Sequence, residues 1–130
     1  MICLDTSFIL DLLKKRQVSI DKLKLISGEE KVSTEINYFE TLYGVFKRSQ
    51  FNQNELDIVQ NLFSNLRVFP LDSMSSYKAA EIGGELSRKG MTIETNDILI
   101  AGICLANNCK ILTRDTKHFS RIKGLKVETY

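Results

Sequence analysis

The sequence predicts an α/β fold, with a short parallel central sheet between two helical layers and more helix than strand. Three observations predict it. Short apolar runs alternate with helix-period segments from one end of the chain to the other. The strand-like runs are few and brief, whereas the helical segments are long. With one proline and seven glycines, no linker or low-complexity stretch divides the 130 residues, which reads as one domain over 1–130.

Each element follows from its residues. Ile2, Cys3 and Leu4 form a buried strand over about residues 2–5. "TSFILDLLKKR" continues as a helix, with Phe8, Ile9, Leu12 and Leu13 at helical spacing and a basic end. "SIDKLKLIS" is a shorter helix stopped by Gly28. "KVST" is a brief strand or a turn. "EINYFETLYGVFKRS" predicts a helix with Ile36, Phe39, Tyr43 and Phe46 on one apolar stripe. "NQNELDIVQNLFSNL" predicts another, capped by Asn52 or Asn54. "RVFPL" is a strand ending at Pro70, which has no place in a central ladder. "SSYKAAEIGGELSRKG" is a helix whose paired glycines suit close packing and whose end is Gly90. "TNDILIAGICLANN" is apolar almost all round, as a buried helix is. "CKILT" is a strand, "RDTKHFSRI" a turn with one helical turn, and "LKVETY" the last strand.

Composition narrows the function classes. The net charge of +2 excludes attachment to nucleic acid by bulk charge alone and leaves room for a local basic patch. Cys3, Cys104 and Cys109 lack the spacing of a zinc site. Buried free thiols suit a reducing compartment, no signal peptide is evident and no apolar run approaches a bilayer span, so the expected location is the cytoplasm, with no membrane partner.

The acidic residues carry the chemistry. Ligands of open parallel sheets bind beyond the carboxyl ends of the strands. Asp5 ends the first strand, Asp115 follows "KILT", and Asp97 lies in the first turn of the buried helix. Connectivity therefore sets three carboxylates at one edge. Glu40 borders the predicted stripe of its helix, where an unpaired charge is costly, and Gly44 leaves space one turn on. Taken singly, Asp5 suits a helix cap, Asp97 a dipole partner, Asp115 a turn and Glu40 a rim ion pair. One site explains all four. Carboxylates gathered at one edge repel one another unless a cation joins them. An all-oxygen set suits Mg²⁺ or Mn²⁺ rather than Zn²⁺. Such a centre activates water for in-line displacement at phosphorus, so the expected reaction is phosphodiester hydrolysis.

These residues resemble the motifs of the PIN domain, in particular the VapC-type ribonuclease toxins of toxin–antitoxin pairs. "LDTSFILDLL" is similar to the first motif, with Asp5 leading. "VSTEINYFETLYG" is similar to the second, with Glu40 and Gly44. "GMTIETNDILIAGICLANN" resembles the third, around Asp97, and "ILTRDTKHFSRIKGLKV" the last, with Thr113, Asp115 and Phe119. The likeness runs from residue 2 to the C-terminus. It implies a Mg²⁺- or Mn²⁺-dependent endoribonuclease with an RNA substrate, a small antitoxin in the active-site groove and a homodimer. It also implies Asp5 and Asp97 as metal ligands, with Glu40 and Asp115 completing the pocket. Thr6 and Thr113 would hydrogen-bond the carboxylates. The fourth acidic position varies in the family. His118, the only histidine, stands where an acid is common and reads as a surface residue rather than a general base.

RNA contacts are expected from the basic segment 110–130, where Arg114, Lys117 and Arg121 flank the site among six basic side chains. A solvated face explains the same charges. The apolar faces of the first three helices suit an antitoxin segment and equally suit core. The alternative to an enzyme is a catalytically silent PIN module that binds RNA or a protein. A dehalogenase-type phosphatase is disfavoured by Ser7, which stands where it needs a second Asp, and a receiver domain by the lack of a phosphoacceptor Asp after a middle strand.

Overall fold

The computed structural model describes residues 1–130. Its strands are β1 (Ile2–Leu4), β2 (Lys31–Thr34), β3 (Arg67–Phe69), β4 (Lys110–Leu112) and β5 (Val127–Glu128). Its helices are α1 (Thr6–Leu13), α2 (Gln17–Leu25), α3 (Glu35–Phe46), α4 (Gln53–Ser64), α5 (Ser73–Arg88), α6 (Thr95–Ala106) and α7 (Thr116–Phe119). All strand pairs are parallel, in the order β3-β2-β1-β4-β5. The central strand β1 sets Cys3 beside Val32 on one side and Ile111 on the other.

Period-two alternation builds the layers. Ile2 and Leu4 point with Leu112 into a core closed by Phe8, Ile9, Ile26, Val45, Val59 and Phe63, which come from α1, α3 and α4 and the end of α2. Cys3, Val32 and Ile111 point the other way, against Ile82 and Leu86 of α5 and Ile100 and Ile103 of α6. "KVST" is thus a strand, buried from Val32 to Thr34. β3 is an edge strand, so Pro70 falls just outside the ladder. Asn52, not Asn54, caps α4 by accepting from the amides of Asn54 and Glu55. Helix α5 begins two residues before the expected Ser75, because Asp72 accepts from the Ser75 amide and fixes the start.

Two expectations are corrected. The stripe of Phe39, Tyr43 and Phe46 is exposed, each by more than half. Helix α3 instead buries Asn37, Thr41 and Val45, because polar partners wait for it beneath β1. The paired glycines of α5 are not what brings helices together. A Cβ on Gly83 would meet only the Ile98 side chain, at 3.4 Å. Gly102 of α6 makes the close approach: a Cβ there would lie 2.6 Å from the Ser75 carbonyl and 2.8 Å from the Ala79 nitrogen of α5. Gly90 ends the turn after α5 at φ +68°, as expected.

The three cysteines are free and buried. A neighbouring Cys104 thiol and burial push Cys3 well above its ordinary value, and burial pushes Cys109 up to about 11. All three behave as core residues. No helix is long and apolar enough to cross a membrane.

Candidate active site

β1 and β4 run parallel and end together at Leu4 and Leu112, so Asp5 and Thr113 emerge side by side. Thr113 is buried and donates to Asp5 Oδ2 at 2.6 Å. Ser7, the second residue of α1, donates to the same oxygen at 3.1 Å. The other oxygen, Oδ1, accepts from Asn37 Nδ2 at 3.1 Å. Asp5 stands at the N-cap position of α1 without a side-chain capping bond. Its carboxylate is therefore free of helix duty and fixed by donors on three elements. Burial raises its pKa, and the hydrogen bonds from Thr113, Ser7 and Asn37 oppose that rise.

Asn37 is itself oriented by Thr34, the cap of α3. Thr34 accepts from the Asn37 amide and donates to Asn37 Oδ1 at 2.7 Å. The Asn37 Nδ2 also donates to Thr6 Oγ1 at 3.0 Å, and Thr6 donates in turn to Glu40 Oε1 at 2.7 Å. The second Glu40 oxygen accepts from Asn96 Nδ2 of α6 at 3.3 Å. One continuous network therefore joins Asp5, Thr6, Asn37 and Glu40 with the start of α6.

Asp97 occupies the first turn of α6. Burial pushes its carboxyl up to about 6, reinforced by the charges of Asp5, Asp115, Glu40 and Glu94 in that order. Of the four expected acids, the ligating atoms of Asp97 and Asp115 come together, with His118, and Asp5 and Glu40 act on Asp97 through their charge. Asp115 caps α7 through the His118 amide at 3.3 Å, so the turn role and the site role coexist. Thr113 Oγ1 accepts from the Asp115 amide at 3.0 Å and ties that loop to Asp5.

His118 is not an ordinary surface residue, as the sequence had suggested. Its Nδ1 is 2.8 Å from Asp115 Oδ2 and 3.6 Å from Asp97 Oδ2, facing the acids. Ligating atoms of Asp97, Asp115 and His118 all lie within 4.8 Å of one another. The donor set fits a divalent cation on two counts. Asp97 and Asp115 come together with His118, and none of the four expected acids is ion-paired to a Lys or Arg. The Nδ1 of His118 is shielded from solvent yet makes no hydrogen bond.

The basic segment divides. Lys110, at the opposite edge of the sheet, is held by Glu29 and Glu128 at 2.8 Å. Arg114 donates to Asp11 of α1 at 3.1 Å, and Asp11 also holds Arg16 and the hydroxyl of Tyr130. Arg121 lines a charged groove against Lys78, Glu81 and Glu85 of α5. Lys117 is exposed one residue from His118. Arg114 and Lys117 thus stay beside the site, and Arg121 faces α5.

Sequence reasoning passed over Ser7, Asn37 and Asn96. Asn37 was legible in one respect: it lies three residues before Glu40 and four before Thr41, on one helix face with both. The louder aromatic spacing hid it.

Comparison with known proteins places the fold. The PIN domain profile matches residues 2–125. The chain is 27% identical over 128 residues to the tRNA(fMet)-specific endonuclease VapC of Shigella flexneri, covering 98% of this chain and 96% of that protein. It is 30% identical over 131 residues to ribonuclease VapC2 of Rickettsia felis, with the same coverages. Its fold superposes on the crystal structure of VapBC2 from Rickettsia felis bound to a promoter DNA fragment with a TM-score of 0.87, at 30% identity over 100% of this chain and 99% of that one. DNA-bound VapBC of Salmonella typhimurium gives the same TM-score at 26% identity, over 98% of this chain and 96% of that one. With the profile spanning nearly the whole sequence, this chain belongs to the PIN domain family.

Proposed function

We propose that this protein is a divalent-metal-dependent endoribonuclease, the toxin of a toxin–antitoxin pair. The observation that carries the reading is the cluster at the carboxyl edge: ligating atoms of Asp97, Asp115 and His118 lie within 4.8 Å of one another, no Lys or Arg pairs with them, and burial and the nearby acids raise the Asp97 carboxyl to about 6. Asp5 and Asp97 would hold Mg²⁺ or Mn²⁺, with Glu40 and Asp115 closing the pocket. The bound ion supplies a lowered pKa for water and charge stabilisation at phosphorus. The chain's own residues do the rest. Thr113, Ser7 and Asn37 fix both oxygens of Asp5, so the site is set before substrate arrives. Thr6 and Asn96 hold Glu40, whose carboxylate is placed to orient the attacking water. Lys117, exposed one residue from His118, would meet RNA phosphates, with Arg114 beside it paired to Asp11.

The likeness to VapBC complexes supports an antitoxin partner. A groove of about 370 Å³ between α1, α3 and α4 suits an amphipathic antitoxin segment; Leu10, Leu13 and Ile58 line it beside the charged Lys14, Glu40 and Arg48. Phe39 and Tyr43, stacked at 5.8 Å and exposed, suit the second copy of a homodimer. The reading is tested with antitoxin-free protein and RNA oligonucleotides. Cleavage is expected with Mg²⁺ or Mn²⁺, and none with EDTA or in Asp97→Asn. Folded wild-type protein that leaves every RNA intact with both ions contradicts the nuclease and favours a module that only binds.

A further inference from the structure

We propose that His118 is a nitrogen ligand of the metal centre, and that it biases this pocket from Mg²⁺ toward first-row transition ions. The inference rests on the metal-dependent reading above and concerns one atom that the reading does not use.

That atom is Nδ1. It is removed from solvent and makes no hydrogen bond, although Asp115 Oδ2 is only 2.8 Å away. At that separation a hydrogen bond fails only when the ring nitrogen is not aimed along the line to the oxygen. A buried ring nitrogen without a partner is costly, so the arrangement needs a cause. Octahedral coordination supplies one. Two neighbouring ligands on an ion with bonds of about 2.1 Å stand about 3 Å apart, and each aims at the ion, about 45° off the line joining them. The separations of 2.8 Å to Asp115 and 3.6 Å to Asp97 bracket that spacing. The full spread of 4.8 Å across Asp97, Asp115 and His118 leaves space for an ion among them.

The backbone sets where the ring starts from. Asp115 accepts from the His118 amide, and Phe119, the next residue, is fully buried in the core of the α5–α6 layer. The Cα of His118 is thereby anchored beside Asp115, and the ring lies against Asp115 and Asp97. Imidazole suits late first-row ions, whereas Mg²⁺ prefers oxygen. One nitrogen among four carboxylates leaves Mg²⁺ able to bind and raises affinity for Mn²⁺ and Co²⁺ relative to it.

The test uses the full-length protein without RNA. Electron spin-echo spectroscopy of the Mn²⁺-loaded wild type should show coupling to a ¹⁴N nucleus, and His118→Ala should abolish it. Calorimetric titration should show Co²⁺ affinity falling in His118→Ala by more than the ~10–100-fold that loss of an outer partner costs, with a smaller fall for Mg²⁺. His118→Asp should restore Mg²⁺ binding without nitrogen coupling. No ¹⁴N coupling in wild type, or equal losses for Co²⁺ and Mg²⁺, would overturn the assignment and leave His118 a charge partner of Asp115. RNA cleavage by the same preparations reports separately. Intact RNA with nitrogen-coupled Mn²⁺ removes the nuclease reading alone; cleavage without nitrogen coupling removes the ligand alone.

Discussion

Asp5 and Asp97, the two proposed metal ligands, have neighbours that make them respond differently to the same substitution. Asp97 is raised to about 6 in the folded chain, above its ordinary value of 3.8. A carboxyl raised on folding binds protons more readily in the native state, so its penalty grows as pH climbs from about 4 to about 6 and is complete above that. Asp97→Asn removes the penalty. In EDTA its melting temperature should exceed that of wild type at pH 8, with the difference shrinking below pH 6 and vanishing near pH 4. Asp5→Asn is another matter: both Asp5 oxygens accept from fixed donors. An amide there keeps its oxygen on Asn37 and turns its NH₂ to the Thr113 and Ser7 hydroxyls, which must stop donating in order to accept it. Asp5→Asn should be less stable than Asp97→Asn at pH 8 by about 1 kcal/mol, the net worth of one lost hydrogen bond. Asn37→Ala strips Asp5 and Thr34 of a partner. It should cost about 1–3 kcal/mol in urea unfolding and weaken Mn²⁺ binding by on the order of tenfold.

Among the elements, α3 shows where sequence periodicity misleads. Its aromatic residues repeat at helical spacing, and burial of apolar area is the usual driving force. The face that turns inward carries Asn37 and Thr41 instead, because Thr34, Asp5 and Thr6 offer that face hydrogen bonds. Tertiary polar pairing of this kind leaves no period in the sequence, and only the position of Asn37 relative to Glu40 hinted at it. The strands and the buried helix α6 were legible because their apolar runs are dense and uninterrupted. The positions of Asp5, Asp97 and Asp115 at strand ends and a helix start were legible because these share an edge in any parallel α/β sheet. His118 was not, because nothing in the chain fixes a ring orientation. The α5–α6 contact gives a sharper test of packing. Gly102→Ala drives a methyl against the Ser75 and Ala79 backbone and should cost about 1–3 kcal/mol. Gly83→Ala meets one movable side chain and should be neutral or stabilising by up to ~1 kcal/mol, from the helix propensity of alanine. Urea denaturation of both variants compares them directly.

Across the whole molecule, a net charge of +2 conceals a division between the two sheet edges. At the carboxyl edge, acids gather without Lys or Arg partners and Lys117 stands exposed beside them. At the amino edge, Lys110 is neutralised by Glu29 and Glu128. Lys117→Ala should therefore weaken RNA binding and reduce the slope of log affinity against log salt by about 1, whereas Lys110→Ala should leave that slope unchanged; filter binding across a salt series reads both. All of this depends on the acids forming a single cation-binding centre at the carboxyl edge. Anomalous diffraction from Mn²⁺-soaked crystals measures that most directly. A manganese peak bonded to carboxylate oxygens of Asp5 and Asp97, with Glu40 and Asp115 around it, is the predicted result. A peak elsewhere on the molecule, or none at saturating Mn²⁺, would contradict it.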